Sequence, residues 1–463
     1  MASHYRAAPP FELLSRITSF TTGDKRTAHT LPLVSRGFYS ASIENLYFTV
    51  NGNALTTLAQ NGSIFSDCKH PAACVQEVLI EGKFDPDVVS KHFAMGLKNI
   101  VELASKQRPL RSFKFSSPCL ALPLAFETVS TDDFPGFISV SLRAGCRARE
   151  ETHWFNIIVS LIHTTFATTY ILLQNKFCTV NTIKFELDFS GIEGTVTFNM
   201  LANIFQLLHS NAPHLQSIKF NLSAPHVEGE HGSLQDALND NSLTFAHLNE
   251  FTIEDAPLSI DHFLRRHPTV TTLMFMPGWQ IYNDPTALSS NDVVPHLHSF
   301  TGTGNIVAAA CNSHRPLSFL FIRDHRPAPT EMAVLLEGMR HTPTLQVLKL
   351  MLNWESGYDV QELRSLVTAC HQLTSLECCV QFTGENERLI QDIYRATVLK
   401  APHLTYLCMH IGEDVQEYAN VMKYHRAAIE SVHKTRVERH RLVVEIYARY
   451  YGKQRLLSME CDV

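Results

Sequence analysis

The chain has 463 residues, a formal net charge of −6 and 45% apolar residues, an ordinary balance for a folded protein. This length exceeds what one compact core takes, so it predicts two or three domains or one elongated array. The charge gives no global signature of binding to nucleic acid or to an anionic membrane. The 11 cysteines are scattered through apolar stretches such as "LECCV", which indicates free thiols in a reducing compartment, the cytoplasm or the nucleus.

Residues 1–50 are predicted to form a small helical domain. Two prolines precede "FELLSRITSF", whose apolar residues fall on one helical face. A polar loop, "TTGDKRTAHT", separates this stretch from "LPLVSRGFYSASIENLYFTV", which also spaces its apolar residues as a helix does. Judged from the residues alone, the domain is a helical cap for the segment that follows it.

The same residues resemble an F-box, most closely the F-box-like proteins abundant in mushroom-forming fungi. The resemblance rests on the proline turn with its "ELL" helix, the apolar pair Ile17 and Phe20, and "LVSRGFY" followed by "LYFTV". It implies a substrate-recognition adaptor of a cullin-RING (SCF-type) ubiquitin ligase that docks on a Skp-type adaptor. The residues that the resemblance assigns to adaptor binding are Pro10, Leu13, Leu14, Ile17, Phe20, Leu33, Val34 and Phe38.

Residues 51–412 repeat one short phrase, an apolar anchor residue followed by apolar residues three and five positions later. Most anchors lie between 20 and 35 residues apart, and such a period indicates a solenoid. The gap of 70 residues after Leu110 leaves room for a degenerate copy at "FPGFISVSL". The anchors are Val75, Leu110, Val180, Leu215, Leu248, Val270, Leu297, Leu317, Leu345, Leu373 and Leu404, of which Leu297 begins a weaker copy.

Each repeat is predicted to contain a helix, a stop and a short strand. The apolar positions alternate after the anchor, as in a strand with one buried face. Helically spaced apolar residues precede many copies, as in "MAVLLEGMRHTP", and a proline then ends the helix. The pattern resembles an irregular leucine-rich repeat, in which the asparagine that usually follows the strand is mostly missing. It predicts an α/β solenoid of irregular leucine-rich repeats, between the N-terminal all-α F-box-like domain and a C-terminal helical cap.

The leucine-rich-repeat resemblance implies that the side chains alternating with the buried set line the concave strand face. In the middle repeats several of these positions are apolar and are flanked by two cations, which predicts a patch that binds a protein target. The alternative is that the shortest repeats let loops cover the strands. The residues assigned to this face are Met274, Met276, Phe319, Phe321, Arg323, Lys349 and Met351.

Residues 152–175 contain no charged side chain and are long enough to be checked as a membrane span. Five threonines, together with Asn156, Ser160 and His163, make insertion unfavourable. The segment is therefore predicted to be a helix largely buried in a soluble protein, and no membrane partner is expected.

Residues 413–463 are basic, with nine Lys or Arg and four Glu between positions 415 and 455. The segment is predicted to be a helical cap that covers the last repeat. A surface for nucleic acid or lipid is the alternative interpretation.

No catalytic or nucleotide-binding motif is present, so the sequence predicts neither an enzyme nor a cofactor. Cys68, His70 and Cys74 lack a fourth ligand and the usual spacing of zinc-binding pairs, so no metal site is predicted. Two hypotheses remain. The first is a ligase adaptor that holds an unknown protein target, and the second is a non-catalytic leucine-rich-repeat scaffold or inhibitor without a ligase partner. Neither involves nucleic acid.

Overall fold

The structure is a computed structural model in which two compact units, Met1–His247 and Leu248–Val463, are distinguished. Each unit is described by itself below. The residues that the structure describes are 14, 38, 49–51, 75–81, 110–116, 137–143, 183–188, 195–221, 226–228, 232–254, 259–276, 288–323, 329–351, 360–380, 387–414, 418–433, 441–450 and 453–462.

The first unit contains a parallel sheet whose strands follow chain order. Its described elements are β1 (Thr49–Asn51), β2 (Glu77–Glu81), β3 (Leu110–Ser116), β4 (Phe137–Arg143), β5 (Lys184–Asp188), β6 (Thr195–Thr197), α1 (Phe198–Asn211), β7 (Ser217–Asn221), β8 (His226–Glu228) and α2 (Gly232–Asn239). The sheet has the order β1-β2-β3-β4-β5-β7, and all its neighbours pair in parallel. Strands β6 and β8 form a separate parallel pair. The degenerate copy predicted at "FPGFISVSL" is confirmed, because β4 occupies it.

The second unit repeats the alternation of strand and helix more regularly. Its described elements are β9 (Glu250–Glu254), α3 (Asp261–Arg266), β10 (Thr272–Met276), β11 (Ser299–Gly302), α4 (Gly304–Asn312), β12 (Phe319–Arg323), α5 (Pro329–Arg340), β13 (Val347–Met351), α6 (Val360–Ala369), β14 (Ser375–Val380), α7 (Glu387–Thr397), β15 (Tyr406–Asp414), α8 (Tyr418–His433), β16 (Arg441–Tyr450) and β17 (Lys453–Asp462). Strands β9 to β16 pair in parallel in chain order. Strand β17 closes this sheet antiparallel to β16.

The register explains why the phrase repeats. The residue three positions after each anchor pairs with its equivalent in the next repeat, as Leu320 does with Leu348 and Leu348 with Leu376. These side chains have no solvent exposure, and neither do the anchors Leu317, Leu345 and Leu373. Each repeat therefore adds the same apolar row to a core that no single repeat could close. The leucine-rich-repeat-like α/β solenoid predicted from the sequence is confirmed.

A ladder of hydrogen bonds joins the repeats of the second unit at the strand entrances. The residue after each anchor donates its backbone N–H to the carbonyl of its equivalent one repeat earlier, at 2.8–3.0 Å. Several of the hydroxyl side chains donate to the same carbonyl, as that of Thr405 does to Thr374 at 3.1 Å. The ladder satisfies backbone groups between the repeats. Its members are Asn249, Thr271, His298, Ser318, Gln346, Thr374 and Thr405.

The helical cap predicted for residues 413–463 is wrong beyond α8, because β16 and β17 extend the sheet. The physical reason lies in "RLVVEIYARYY", which is rich in β-branched and aromatic residues. Leu442, Val444 and Ile446 are buried and alternate with more exposed residues, which is the period of a strand rather than a helix.

The uncharged segment 152–175 lies outside the described residues. Within the described part of the chain, no helix has the length and apolar character that crossing a membrane requires.

Candidate binding face

The two faces of the sheet in the second unit differ in burial, because one is buried throughout and the other mixes half-buried with buried side chains. The buried face carries the side chains three and five positions after each anchor, and α4 contacts β11 and β12. We call the opposite side, which carries the alternating side chains, the open face. Strand pairing aligns the residues that stand four positions after the anchors into one row across this face, and Glu445 of β16 continues the row. Its members are Thr252, Met274, Thr301, Phe321, Lys349, Glu377, Cys408 and Glu445.

The residues predicted to bind a target are only partly brought together. Phe319 and Phe321 lie on β12 and are half-buried, and Phe321 is the register partner of Lys349. Met274 is also half-buried, but Thr301 of β11 lies between it and Phe321 in the row. The predicted patch therefore centres on β12 and β13. The backbones of Met276 and Met351 pair with those of Glu254 and Arg323, and their side chains lie outside the described set.

Arg323 is held within the protein by an ion pair. Its Nη1 lies 2.9 Å from Oε2 of Glu254, and the side chains of Arg323 and Glu254 are 34% and 10% exposed. The two residues belong to β12 and β9, so the pair reaches across β10 and β11, about 14 Å at roughly 4.8 Å per strand. Arg323 consequently links two strands of this face that are not adjacent, and its predicted role at the edge of a target site stays a prediction.

Lys349 is paired in the same way. Its Nζ lies 2.7 Å from Oε2 of Glu377, which is its register neighbour on β14. The other oxygen of Glu377, Oε1, lies 3.2 Å from Nε2 of His410. Burial raises the pKa of the Glu377 carboxyl, but the hydrogen bonds and charges of Lys349 and His410 outweigh it and hold that pKa below its usual value. Glu377 is therefore a carboxylate at neutral pH.

A compact polar cluster surrounds Glu377. Cys408 Sγ lies 3.5 Å from His410 Nε2, and the Tyr447 ring stacks on the His410 ring with centroids 4.9 Å apart. The side-chain donor atoms of Glu377, Cys408 and His410 all lie within 4.8 Å of one another, a geometry that could hold a metal ion. Burial, followed by the charge of Glu377, raises the pKa of the Cys408 thiol to about 12. The thiol is thus protonated at neutral pH when no cation is present.

The strand alternation in the sequence also places His410 on this face, but the sequence analysis singled out neither Glu377 nor Cys408. The signal was available, because Glu377 and Cys408 both stand four positions after the anchors of adjacent repeats, Leu373 and Leu404. Adjacent copies of a parallel solenoid bring equivalent positions side by side. Cys379 stands opposite His410 in the same register, on the face opposite to Cys378, as strand alternation predicts.

Few of the residues predicted to bind an adaptor are described. Leu14 lies in a helix and is 5% exposed, so it packs within this protein rather than on a free face. Phe38 is helical and half-buried. Outside the described residues lie Pro10, Leu13, Ile17, Phe20, Leu33, Val34, and the cluster Cys68, His70 and Cys74.

No protein-family model matches the chain, and no curated protein matches it. Solved structures do match. A chain of the Rad7–Elc1 complex from yeast is 14% identical, with 89% of this chain and 96% of that one covered, at a TM-score of 0.38. An internalin from Listeria monocytogenes is 12% identical, with coverage of 81% and 92%, at a TM-score of 0.31. At such low scores, neither likeness bears on what this chain binds.

Proposed function

We propose that this chain is a non-catalytic protein-binding solenoid that holds a protein target on the open face of its second unit. The observation that carries the proposal is the half-buried aromatic pair Phe319 and Phe321 at the centre of that face. On the opposite face of the same strand, Leu320 and Ile322 have no exposure, so the core does not require further aromatic residues here. Aromatic side chains that remain partly exposed on a rigid sheet are typical anchors for a protein partner.

The charged residues of the open face indicate which chemical groups a target needs. Arg323 and Lys349 are already paired with Glu254 and Glu377, so a target need not supply carboxylates to them. Such pairs at the edge of an interface contribute mainly to orientation and association rate. The target is therefore expected to insert an apolar or aromatic side chain beside Phe321, and its affinity should depend only weakly on salt.

The test is target capture with Phe319→Ser and Phe321→Ser combined. Val334→Ser is the matched control, because Val334 is 51% exposed but lies on helix α5. We expect the double variant to fold and to lose at least about 2 kcal/mol of binding free energy, the loss typical of a central anchor. The Val334 variant should bind as the parent does. Equal binding by the double variant would exclude the open face as the target site.

The more specific form of the proposal is a substrate-recognition adaptor of a cullin-RING ligase, with residues 1–50 docking on a Skp-type adaptor. Its support is the F-box resemblance of these residues. The test is co-purification with a Skp-type adaptor and its loss in Leu13→Asp with Ile17→Asp, which leaves the buried Leu14 intact. A charge in a dry helix groove costs several kcal/mol, so binding should disappear. No co-purification by the parent chain would favour the alternative, a repeat scaffold or inhibitor without a ligase partner.

A further inference from the structure

We infer that Glu377, Cys408 and His410 form a binding site for a divalent transition-metal ion, and that Zn²⁺ is the ion that fits them best. This site is independent of the protein-binding function proposed above, so either can fail without the other.

Two of the three distances between the donor atoms are close to those of a tetrahedral zinc site, and the sulfur and the carboxylate lie within 4.8 Å of each other. Zinc bonds of about 2.0–2.1 Å to nitrogen and about 2.3 Å to sulfur place these two ligands about 3.5 Å apart. Cys408 Sγ and His410 Nε2 are 3.5 Å apart. The corresponding nitrogen–oxygen edge is about 3.4 Å, and His410 Nε2 lies 3.2 Å from Glu377 Oε1. The imidazole nitrogen therefore already lies at a suitable distance from both other ligands.

The backbone fixes all three positions. Cys408 and His410 are two residues apart on β15, so their side chains leave the same face of the sheet. Glu377 is the register partner of Cys408 on β14. A donor set carried by two hydrogen-bonded strands is more rigid than one carried by loops, which lowers the conformational cost of binding an ion.

Neighbouring side chains orient the donors. Lys349 holds Oε2 of Glu377 at 2.7 Å, and Oε1 is the oxygen on the His410 side. The Tyr447 ring stacks on the His410 ring with an angle of 9° between their planes. Outer contacts of this kind set ligand orientation and typically change metal affinity by about 10- to 100-fold.

The chemistry of the donors selects the ion. A thiolate and an imidazole favour Zn²⁺ over Mg²⁺ and Ca²⁺, which prefer oxygen ligands. On binding, the S–H bond of Cys408 breaks, a sulfur–metal bond forms and the proton passes to solvent. Three protein ligands leave the fourth tetrahedral position to water. Cys379 stands beside the site, opposite His410, but it is not one of the three clustered donors.

The simpler reading of the cluster is a hydrogen-bonded network that needs no metal, in which Glu377 accepts from Lys349 and His410. The two readings differ in one property, because only the metal site requires the sulfur of Cys408. Replacement of that sulfur by oxygen in Cys408→Ser keeps the size and hydrogen-bonding capacity of the side chain. Glu377→Gln is a second substitution at the site, at a residue that is less buried than Cys408.

The experiment titrates the metal-stripped full chain, kept reduced, with Co²⁺ and then displaces Co²⁺ with Zn²⁺. We expect one equivalent of Co²⁺ to give the near-ultraviolet absorption of a cobalt–thiolate bond. Cys408→Ser should abolish that absorption, and both it and Glu377→Gln should weaken Zn²⁺ binding by at least about 100-fold. Circular dichroism of each variant verifies its fold, and millimolar Mg²⁺ should not compete.

Two cysteine variants serve as matched controls. Cys379→Ser changes a buried thiol on the same face, and Cys370→Ser changes a buried thiol 3.8 Å from the sulfur of Met339, away from the cluster. Both should retain parental absorption and affinity. The proposal is overturned if the parent binds no stoichiometric Co²⁺, if Cys408→Ser keeps the thiolate absorption, or if Cys379→Ser loses it to the same extent.

Discussion

Two repeats of the second unit build the same strand and helix from very different lengths of chain. The repeat from Leu345 to Leu373 takes 28 residues, and the repeat from Leu297 to Leu317 takes only 20. In the long repeat, helix α6 buries one apolar face and leaves the rest of its surface exposed. In the short repeat, helix α4 is buried at every residue from Ile306 to Cys311.

The short repeat compensates with small residues and one buried arginine. Its helix carries three consecutive alanines, so neighbouring backbones approach closely. The guanidinium of Arg315 donates hydrogen bonds of 2.6–3.3 Å to five backbone carbonyls, all of which precede it in the chain. The acceptors are the carbonyls of Leu288, Ser290, Val293, Val294 and Ala310. The short repeat thus uses a side chain to satisfy one of its own carbonyls and four carbonyls of the turn that precedes it, whereas the long repeat depends on apolar packing.

The largest effect is expected for Arg315→Met. Burial lowers the pKa of Arg315 to about 10, so the side chain remains charged at neutral pH. Methionine fills the space but leaves five carbonyls without this donor, which should reduce the free energy of unfolding by about 3–5 kcal/mol. Denaturant titration measures the loss, and hydrogen exchange should rise first between residues 288 and 323.

Arg340→Met is the control for this prediction. Arg340 is 64% exposed and pairs with Glu337 on the surface of α5, so its loss should cost less than about 1 kcal/mol. If the Arg315 and Arg340 variants were equally stable, the hydrogen bonds of Arg315 would not be what stabilises the short repeat.

The long repeat should respond to the loss of apolar volume instead. Leu366 of α6 has no solvent exposure, and Leu366→Ala should cost about 2–5 kcal/mol through lost burial and the cavity that remains. Arg364→Ala, on the exposed side of the same helix, should change the free energy of unfolding by less than about 0.5 kcal/mol. Thermal or denaturant unfolding of both variants checks the difference. If Leu366→Ala and Arg364→Ala lowered the free energy of unfolding by similar amounts, α6 would not bury only one of its faces.

A buried histidine near the end of the second unit allows the free energy of unfolding to be tested against pH, which Arg315 does not. His425 of α8 lies 3.0 Å from the Tyr394 hydroxyl of α7, and burial lowers its pKa to about 3. The unfolded chain, with a histidine pKa of about 6.5, then binds more protons below that pH, so stability is lost as the pH falls. The loss between pH 6.5 and 5 should be about 1.5 kcal/mol.

His425→Gln keeps a hydrogen-bonding group for Tyr394 but does not titrate. Its free energy of unfolding should therefore vary less over this pH range than that of the parent. A pH dependence identical to that of the parent would show that His425 is not the group responsible.

The strands could be predicted from the sequence because the buried positions repeat with a fixed period. Even the weak copy at Leu297 is a true strand, β11. Its last apolar place is taken by Gly302, where a Cβ would lie 3.0 Å from the Phe300 ring and 3.2 Å from the Phe275 carbonyl oxygen, so a larger residue would require these neighbours to shift. The end of the array was mispredicted because basic residues suggested a helix, although the alternation around Val444 indicated a strand.

Long-range partners were harder to predict than elements. The bonds of Arg315 reach carbonyls up to 27 residues away in an irregular turn that has no pattern of its own. The ion pair of Arg323 with Glu254 joins residues 69 apart and depends on the lengths of the repeats between them. The cluster of Glu377, Cys408 and His410 could have been predicted. Glu377 and Cys408 hold equivalent positions of adjacent repeats, and His410 follows Cys408 by two residues on the same face of the strand. Finding it required alignment of the repeats rather than inspection of each one.

The smallest effect tests how closely the short repeat is packed. A Cβ added at Gly338 of α5 would lie 2.9 Å from Cys311 Cβ and 3.1 Å from the Ala308 carbonyl oxygen, both on α4. Gly338→Ala gains about 1 kcal/mol of helix propensity but should lose about 1–3 kcal/mol to overpacking, a net destabilisation of about 1 kcal/mol. Ala333→Gly, at an exposed position of the same helix, isolates the propensity contribution. If Gly338→Ala stabilised the protein by the amount that Ala333→Gly costs, α4 and α5 would not be in close backbone contact, and the short repeat would have no need of small residues there.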